Sequence, residues 1–248
     1  MEKLKQIRYR FRLKMAVVKS RLFGIRKTEY KDIPIIINNF NRYDMLLRLI
    51  ASLESKGYTN IHIIDNASSY PPLLEYYEHC RYHVIRLKSN VGYLALWKTG
   101  LYKMFNKGYF AYTDADVEII PECPDDFMEK FVRLLEQYPR RRKVGFSLLI
   151  DDLPDTYRNK KKVVEWESQF WKKEIEPGVY DADVDTTFAL YRPYLKRHDG
   201  HIVYDSLRTG YPYSARHLPW YQDSSNQSEE EKFYLSQIVT KTHWSETN

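Results

Sequence analysis

Four short runs of apolar, largely β-branched residues, at 33–38, 60–65, 83–87 and 109–113, alternate with segments whose apolar residues recur every three or four positions. In the first such segment Leu46, Leu49, Ile50 and Leu53 share a helical face, Asp44 is placed to cap its start, and Gly57 ends it. A short helix follows at 73–79, and a third at 93–105 sets Trp97, Leu101 and Met104 on one side. Strands joined by helices return to the same end of a sheet and so lie parallel. The expected fold class is therefore α/β, a mostly parallel central sheet with helices on both faces. Ligands then bind beyond the carboxyl ends of the strands.

The second half is less regular. A helix is expected at 127–137, a strand at 144–150, and a charged covering segment at 151–182 with a helix near 164–171. DTTFALY at 185–191 is strand-like, whereas 208–221 is aromatic, punctuated by proline and expected as a loop. Ser228 with Glu231 forms a capping box that opens a last helix at 229–239. No repeat or linker divides 31–248.

Residues 1–30 stand apart by charge. Eleven Lys and Arg fall within 1–31 against Glu2 and Glu29, which leaves 28 basic and 31 acidic groups for the remainder. A mildly acidic body disfavours a nucleic-acid groove, so no nucleic-acid partner is expected and RNA binding by the basic segment is remote. On a helix, Leu4, Ile7, Phe11, Met15, Val18, Leu22 and Ile25 form one apolar stripe between cations. Such a helix can lie on an anionic membrane surface through residues 4–25, or the stripe can dock on the protein's own core. No apolar run approaches the roughly 18 residues of a membrane span. Two distant cysteines, Cys80 and Cys123, in no metal-ligand pattern suit a reducing, cytoplasmic setting, with attachment to the cytoplasmic face of a membrane as the peripheral variant.

Three segments carry chemistry. Tyr109-Phe-Ala-Tyr-Thr-Asp114-Ala-Asp116 delivers two carboxylates to the carboxyl end of an apolar strand. Two hard oxygen ligands there suit Mg²⁺ or Mn²⁺, which keeps waters and takes substrate phosphates to complete its shell. Ile61-His-Ile-Ile-Asp65-Asn66-Ala-Ser68-Ser69 also ends a strand in an acid, which can accept from a base or ribose or close an Asx turn. Asn90-Val-Gly92-Tyr93 precedes a helix, where Gly92 lets the backbone approach a ligand.

With Ile33-Pro-Ile-Ile-Ile-Asn38-Asn39-Phe40-Asn41-Arg42 before them, these motifs in this order resemble the start of a family 2-like glycosyltransferase of the GT-A fold, over residues 33–120. The resemblance implies a nucleotide-diphosphosugar-binding sandwich, with 31–120 on the nucleotide-sugar side and 121–248 on the acceptor side. It implies donor contacts at Asn38, Phe40, Arg42, Asp65, Asn66, Asn90, Gly92 and Asp114, with Phe40 and Asp65 toward the nucleobase and Asp114 toward the ribose. Asp116 becomes the direct metal ligand, Asp114 its neighbour, and a C-terminal histidine a further ligand. Among His198, His201, His217 and His243, His217 is chosen because Arg216-His217-Leu-Pro-Trp220-Tyr221 is dense in aromatics that can floor a sugar site. The usual Pro-Thr-Tyr-Asn strand end reads Asn38-Asn39-Phe40-Asn41 here, and the usual Glu-Asp pair supplying the base is not evident.

An inverting transfer needs a carboxylate to take the acceptor's proton. Asp181, Asp183 and Asp185 alternate before the strand-like segment; Asp185 abuts it and is the candidate base, with Asp183 in reserve. Trp166, Trp171 and Trp220 can stack on sugars or serve as core. The expected function is a metal-dependent transfer of a sugar, UDP-linked, to a glycan or lipid-linked acceptor, as in polysaccharide biosynthesis. The alternatives are a retaining transferase, a sugar-nucleotide pyrophosphorylase (disfavoured because NNFNRYD lacks the glycines of a phosphate loop), and a non-catalytic membrane- or RNA-associated scaffold.

Overall fold

The computed structural model describes residues 2–23, 29–195 and 205–238. Helix α1 (Glu2–Leu22) is followed by β1 (Ile35–Asn39), α2 (Asp44–Glu54), β2 (Ile61–Asp65), α3 (Pro71–His79), β3 (His83–Arg86), α4 (Ala95–Lys98), α5 (Tyr102–Phe105) and β4 (Phe110–Asp114). Then come β5 (Val117–Ile119), α6 (Phe127–Gln137), β6 (Lys143–Leu148), α7 (Lys160–Ser168), β7 (Glu174–Glu176), β8 (Val179–Tyr180), β9 (Ala189–Tyr191), β10 (Ser206–His217) and α8 (Glu229–Gln237). The strands form one sheet in the order β3-β2-β1-β4-β9-β6-β10-β8-β7, with β5 on β10. The four amino-terminal strands are mutually parallel, and β9 runs antiparallel between β4 and β6.

Successive residues of β1 supply opposite cores, as the period of two requires. Ile35 and Ile37 join Ile61, Ile63 and Ala111 under α2, α3 and α6, whereas Ile36 joins Ile64, Phe110 and Tyr112 under α4 and α5. Burial on both faces explains why β1 opens on three consecutive isoleucines rather than an alternating pattern.

Several expectations are corrected. The helix expected at 93–105 is two short helices broken at Gly100, whose φ of +79° places it in the left-handed region, and Met104 is exposed. The strand expected at 185–191 is regular only over Ala189–Tyr191, and the covering segment holds a β7–β8 hairpin besides α7. Most of the loop expected at 208–221, up to a 3₁₀ turn at Leu218–Tyr221, is β10, a long strand despite its proline. Its pairing with β6 shifts register between Thr209 and Ser214, and Pro212, which has no N–H to donate, sits in that gap. Asp44 opens α2 but does not cap it. The Glu230 carboxylate, from α8, accepts from both Tyr43 N and Asp44 N at 2.6 Å and supplies the cap from the far end of the chain. Ser228 Oγ accepts from Glu231 N at 3.1 Å and caps α8 where expected, but only this half of the box forms, because the Glu231 carboxylate pairs with Arg42 instead.

On α1, Tyr9, Leu13, Ala16 and Ser20 face inward, and the first three pack with Leu195. The stripe through Leu4, Ile7, Phe11 and Met15 faces outward, so it does not dock on the protein's own core. Ile25 lies outside the described residues.

Burial pushes the Asp205 carboxyl, at the entry to β10, up from 3.8 to about 7. An acid raised on folding is protonated in the folded chain while the unfolded chain has already lost its proton. Stability therefore falls as pH rises from about 4 to about 7 and is level above. Asp205→Asn is expected to be more thermostable than the parent at pH 8, with the gap closing toward pH 4 in paired melting curves.

Candidate active site at the carboxyl end of the sheet

Strand β4 ends in Asp114, and after Ala115 and Asp116 the chain enters β5, which pairs antiparallel with the end of β10. That ladder sets Val117 opposite His217, and Leu218 N donates to Asp116 O at 2.8 Å. Two segments a hundred residues apart thus bring the His217 Nε2 to 3.5 Å from Asp116 Oδ2, each side chain under one-fifth exposed. The Trp220 ring lies 4.7 Å from the imidazole and forms the wall behind it.

The electrostatics are those of crowded anions. Burial and the Asp116 charge push the Asp114 carboxyl well up, eased by hydrogen bonds from Thr186 and Asn38, with Asp185 adding further repulsion. Burial alone would raise Asp116 too, but His217 and Arg42 outweigh it and hold that carboxyl below its usual range. The Asn38 Nδ2 donates to Asp114 Oδ1 at 3.4 Å. Three buried polar atoms around this rim, Asn38 Oδ1, Arg42 Nε and His217 Nδ1, have no hydrogen-bond partner. Such atoms are costly unless a ligand engages them.

The fit to a divalent cation rests on the donor set. A carboxylate and an imidazole converge beside a second carboxylate, and a cation would relieve the repulsion between the two acids. Among the described residues no three His, Cys, Asp or Glu side chains group as a complete cage.

The other expected donor residues are placed as follows. Asp65 is buried, accepts from Ser68 N at 3.2 Å in an Asx turn, and lies 3.6 Å from Arg86. Asn66 ties the next loop to β2: its Nδ2 donates to Gly92 O at 3.0 Å and its Oδ1 accepts from Val91 N at 2.8 Å. Asn90 Oδ1 accepts from Gly92 N at 2.8 Å, and Gly92 holds a φ of +81°. Asn66 therefore spends both ends of its amide on the loop, whereas exposed Asn90 uses its oxygen there.

Phe40 and Arg42 meet α8. Tyr234 packs edge-on to Phe40 at 6.2 Å, and the Arg42 guanidinium sits 3.5 Å over the Tyr234 ring while ion-paired to Glu231. The serine cap identifies this helix in the sequence, but nothing there shows that it packs on the loop after β1, and Tyr234 is hidden for that reason.

Thr186 O accepts from Asp114 N at 3.0 Å, which lays the segment carrying Asp185 along the rim. Asp183, the reserve, is turned to structure: its Oδ1 accepts from Ser206 Oγ at 2.8 Å and from Val184 N at 3.0 Å. His198, His201 and His243 lie outside the described residues. Of the tryptophans, Trp166 is exposed on α7 and Trp171 packs against Tyr180.

The family model for glycosyl transferase family 2 matches residues 35–197, about two-thirds of the chain. The chain belongs to glycosyl transferase family 2. The mixed α/β sheet with its parallel core is the GT-A architecture expected of a family 2 chain. No curated protein matches it. Among solved structures it is similar to the mannosyltransferase PcManGT from Pyrobaculum calidifontis in complex with GDP-Man and Mn²⁺, at 15% identity and a TM-score of 0.42 over 76% of this chain and 52% of that one. It is also similar to GalNAc-T7 with UDP, GalNAc and Mn²⁺, at 14% identity and a TM-score of 0.48 over 74% and 43%. A third is glucosyl-3-phosphoglycerate synthase from Mycobacterium tuberculosis with Mn²⁺, UDP-glucose and phosphoglyceric acid, at 11% identity and a TM-score of 0.39 over 64% and 56%. This family 2 chain spans about half the length of these structures.

Proposed function

We propose that the protein is a glycosyltransferase that moves a sugar from a nucleoside-diphosphate donor, UDP-linked, to a glycan or lipid-linked acceptor in polysaccharide assembly. The observation that carries this reading is the meeting of Asp116 and His217 beside Asp114 at the rim of the parallel strands. Asp116 and His217 would hold Mn²⁺ or Mg²⁺, and Asp114 would face the donor's ribose. Bound there, the cation supplies charge neutralisation for the leaving diphosphate.

The chain's own residues do the rest. Asn38 fixes the Asp114 carboxylate through its amide. Phe40, backed by Tyr234, offers an aromatic face to the nucleobase. Asp65 is buried at the carboxyl end of β2, with one carboxylate oxygen in the turn and the other toward Arg86. Gly92 and the loop braced by Asn66 and Asn90 present backbone to the donor. Arg42, ion-paired through one nitrogen and with Nε unpartnered, is the cation beside Asp116.

Asp185 is exposed, lies on the segment against Asp114 and carries a charge that Asp114 senses, so it is the candidate base for inversion. Asp183, already hydrogen-bonded to Ser206, is less suited to that task. A retaining outcome is distinguished by the anomeric proton of the first product formed. A cytoplasmic setting, read from the two unpaired cysteines, gives access to soluble nucleotide sugars.

The test is donor hydrolysis or transfer over a panel of nucleotide sugars, with and without EDTA. Activity is expected with Mn²⁺ or Mg²⁺ and none after chelation. Turnover that survives chelation would overturn the reading. So would UDP binding that is indifferent to Mn²⁺ in calorimetry, the result expected of a scaffold with a degenerate pocket.

A further inference from the structure

Helix α1 has two faces, and only one is used by the fold. At 3.6 residues per turn, Tyr9, Leu13, Ala16 and Ser20 fall on one side and pack inward. The apolar row of Leu4, Ile7, Phe11, Met15 and Leu22 is centred roughly 160° away around the axis. Those five side chains, with Phe23 just beyond the helix, are between 38% and 75% exposed. Singly exposed apolar residues are unremarkable, but a contiguous row along a whole helix marks a contact surface.

The flanks of that row say what it contacts. Arg10, Lys14 and Arg21 line one side of the stripe and Arg8, Arg12 and Lys19 the other, all exposed. Cations on both margins of an apolar strip match an anionic lipid surface, where the strip enters the acyl boundary and the long side chains reach phosphates. A second copy of this helix would set like charges against each other along both margins. No helix among the described residues is long and apolar enough to cross a membrane, so the contact is one of lying on it.

We infer that α1 is a docking surface for an anionic lipid bilayer, engaged through the row from Leu4 to Phe23. The inference stands independently of the transferase reading. The docked position also sets an orientation. Leu195, which α1 covers, follows β9, whose last residue Tyr191 pairs with Phe110 at the start of β4. Tyr194 N donates to Asn106 O at 2.7 Å, just before β4. The helix thus holds the sheet by the end opposite Asp114 and Asp116, and a bound bilayer leaves that rim open.

The test is flotation of the full chain with vesicles of phosphatidylcholine alone or mixed with phosphatidylglycerol, at low and high salt. Binding is expected only to the mixed vesicles and is expected to weaken with salt. Ile7→Glu with Phe11→Glu, both at outward positions, should lower partitioning at least about tenfold, with circular dichroism and melting temperature unchanged. Arg10→Glu with Lys14→Glu, which keeps the stripe intact, should also lower it. Failure of the parent to float with anionic vesicles, or equal flotation of the Ile7/Phe11 variant, overturns the inference. A dimer of the parent that this variant dissociates, without lipid binding, assigns the face to a second copy and overturns it as well.

Discussion

Asp116→Ala is expected to lower metal-dependent sugar transfer by about a thousandfold or more while leaving the fold intact. The residue lies between β4 and β5, just before a strand whose pairing with β10 is made by backbone, so its side chain is not needed to close the ladder. Of the Asp114–Asp116 pair, its carboxyl is the one that His217 and Arg42 hold below the usual range against the push of burial. Removing it takes away the one carboxylate that lies against the imidazole. Two measurements separate this from a general loss of structure. The parent should gain melting temperature on adding Mn²⁺ with UDP, by mass action on the folded state, and the variant should not. Circular dichroism of the two should coincide without ligand. A variant that keeps the Mn²⁺-dependent thermal shift, or that turns over donor at the parent's rate, would remove Asp116 from the metal site.

Glu167→Ala is expected to cost roughly 3–5 kcal/mol of stability, a large effect for a charged side chain away from the rim. Glu167 on α7 pairs with Arg208 on β10 at 2.6 Å, and both side chains are under 5% exposed. Forming such a pair gains little over an apolar pair of the same size, because both ions lose their water. Breaking it is a different matter, since the Arg208 charge would remain buried over the Phe170 ring without a counter-ion. For a chain of this length, that loss corresponds to a fall in melting temperature of roughly 10 °C. Changing both residues together, Glu167→Leu with Arg208→Met, should recover most of it. A single variant as stable as the parent, or a double variant no better than the single, would show that the pair is not what holds α7 down. The same guanidinium donates to Asp183 O, so the pair also fixes the segment that leads to Asp185. A drop in transfer beyond the loss of folded protein is therefore expected in Glu167→Ala.

The parts of this molecule legible in its sequence are those where one physical pattern dominates. The strands at 35–39, 61–65 and 110–114 are buried on both faces, so they open on largely apolar runs and turn polar toward the rim, and their parallel direction follows from the helices between them. The helix Phe127–Gln137 falls where its periodicity places it. Strand β10 was hidden because its regularity comes from partners: β6, β8 and β5 each pair with a part of it, and its Gly, Pro and Tyr residues lie where the register breaks. At the rim, the Asp114–Asp116 pair can be read from its place at a strand end. The approach of His217 cannot be read in the same way, since it depends on a β5–β10 ladder that three apolar-alternating residues announce only weakly. On α1 the eye follows the longer aliphatic row, yet the shorter row of Tyr9, Leu13 and Ala16 is the one that fits against Leu195.

The carboxylate that Glu230 lends to the amides of Tyr43 and Asp44 joins positions 186 residues apart. On a ribosome, the first strands and helices can collapse as soon as they emerge. The loop bearing Phe40 and Arg42 would then wait, its amides bonded to water, until the segment at 229–237 arrives. Maturation of that loop would thus be among the last events of folding, and a nascent chain could hold its sheet before it holds the rim beside β1.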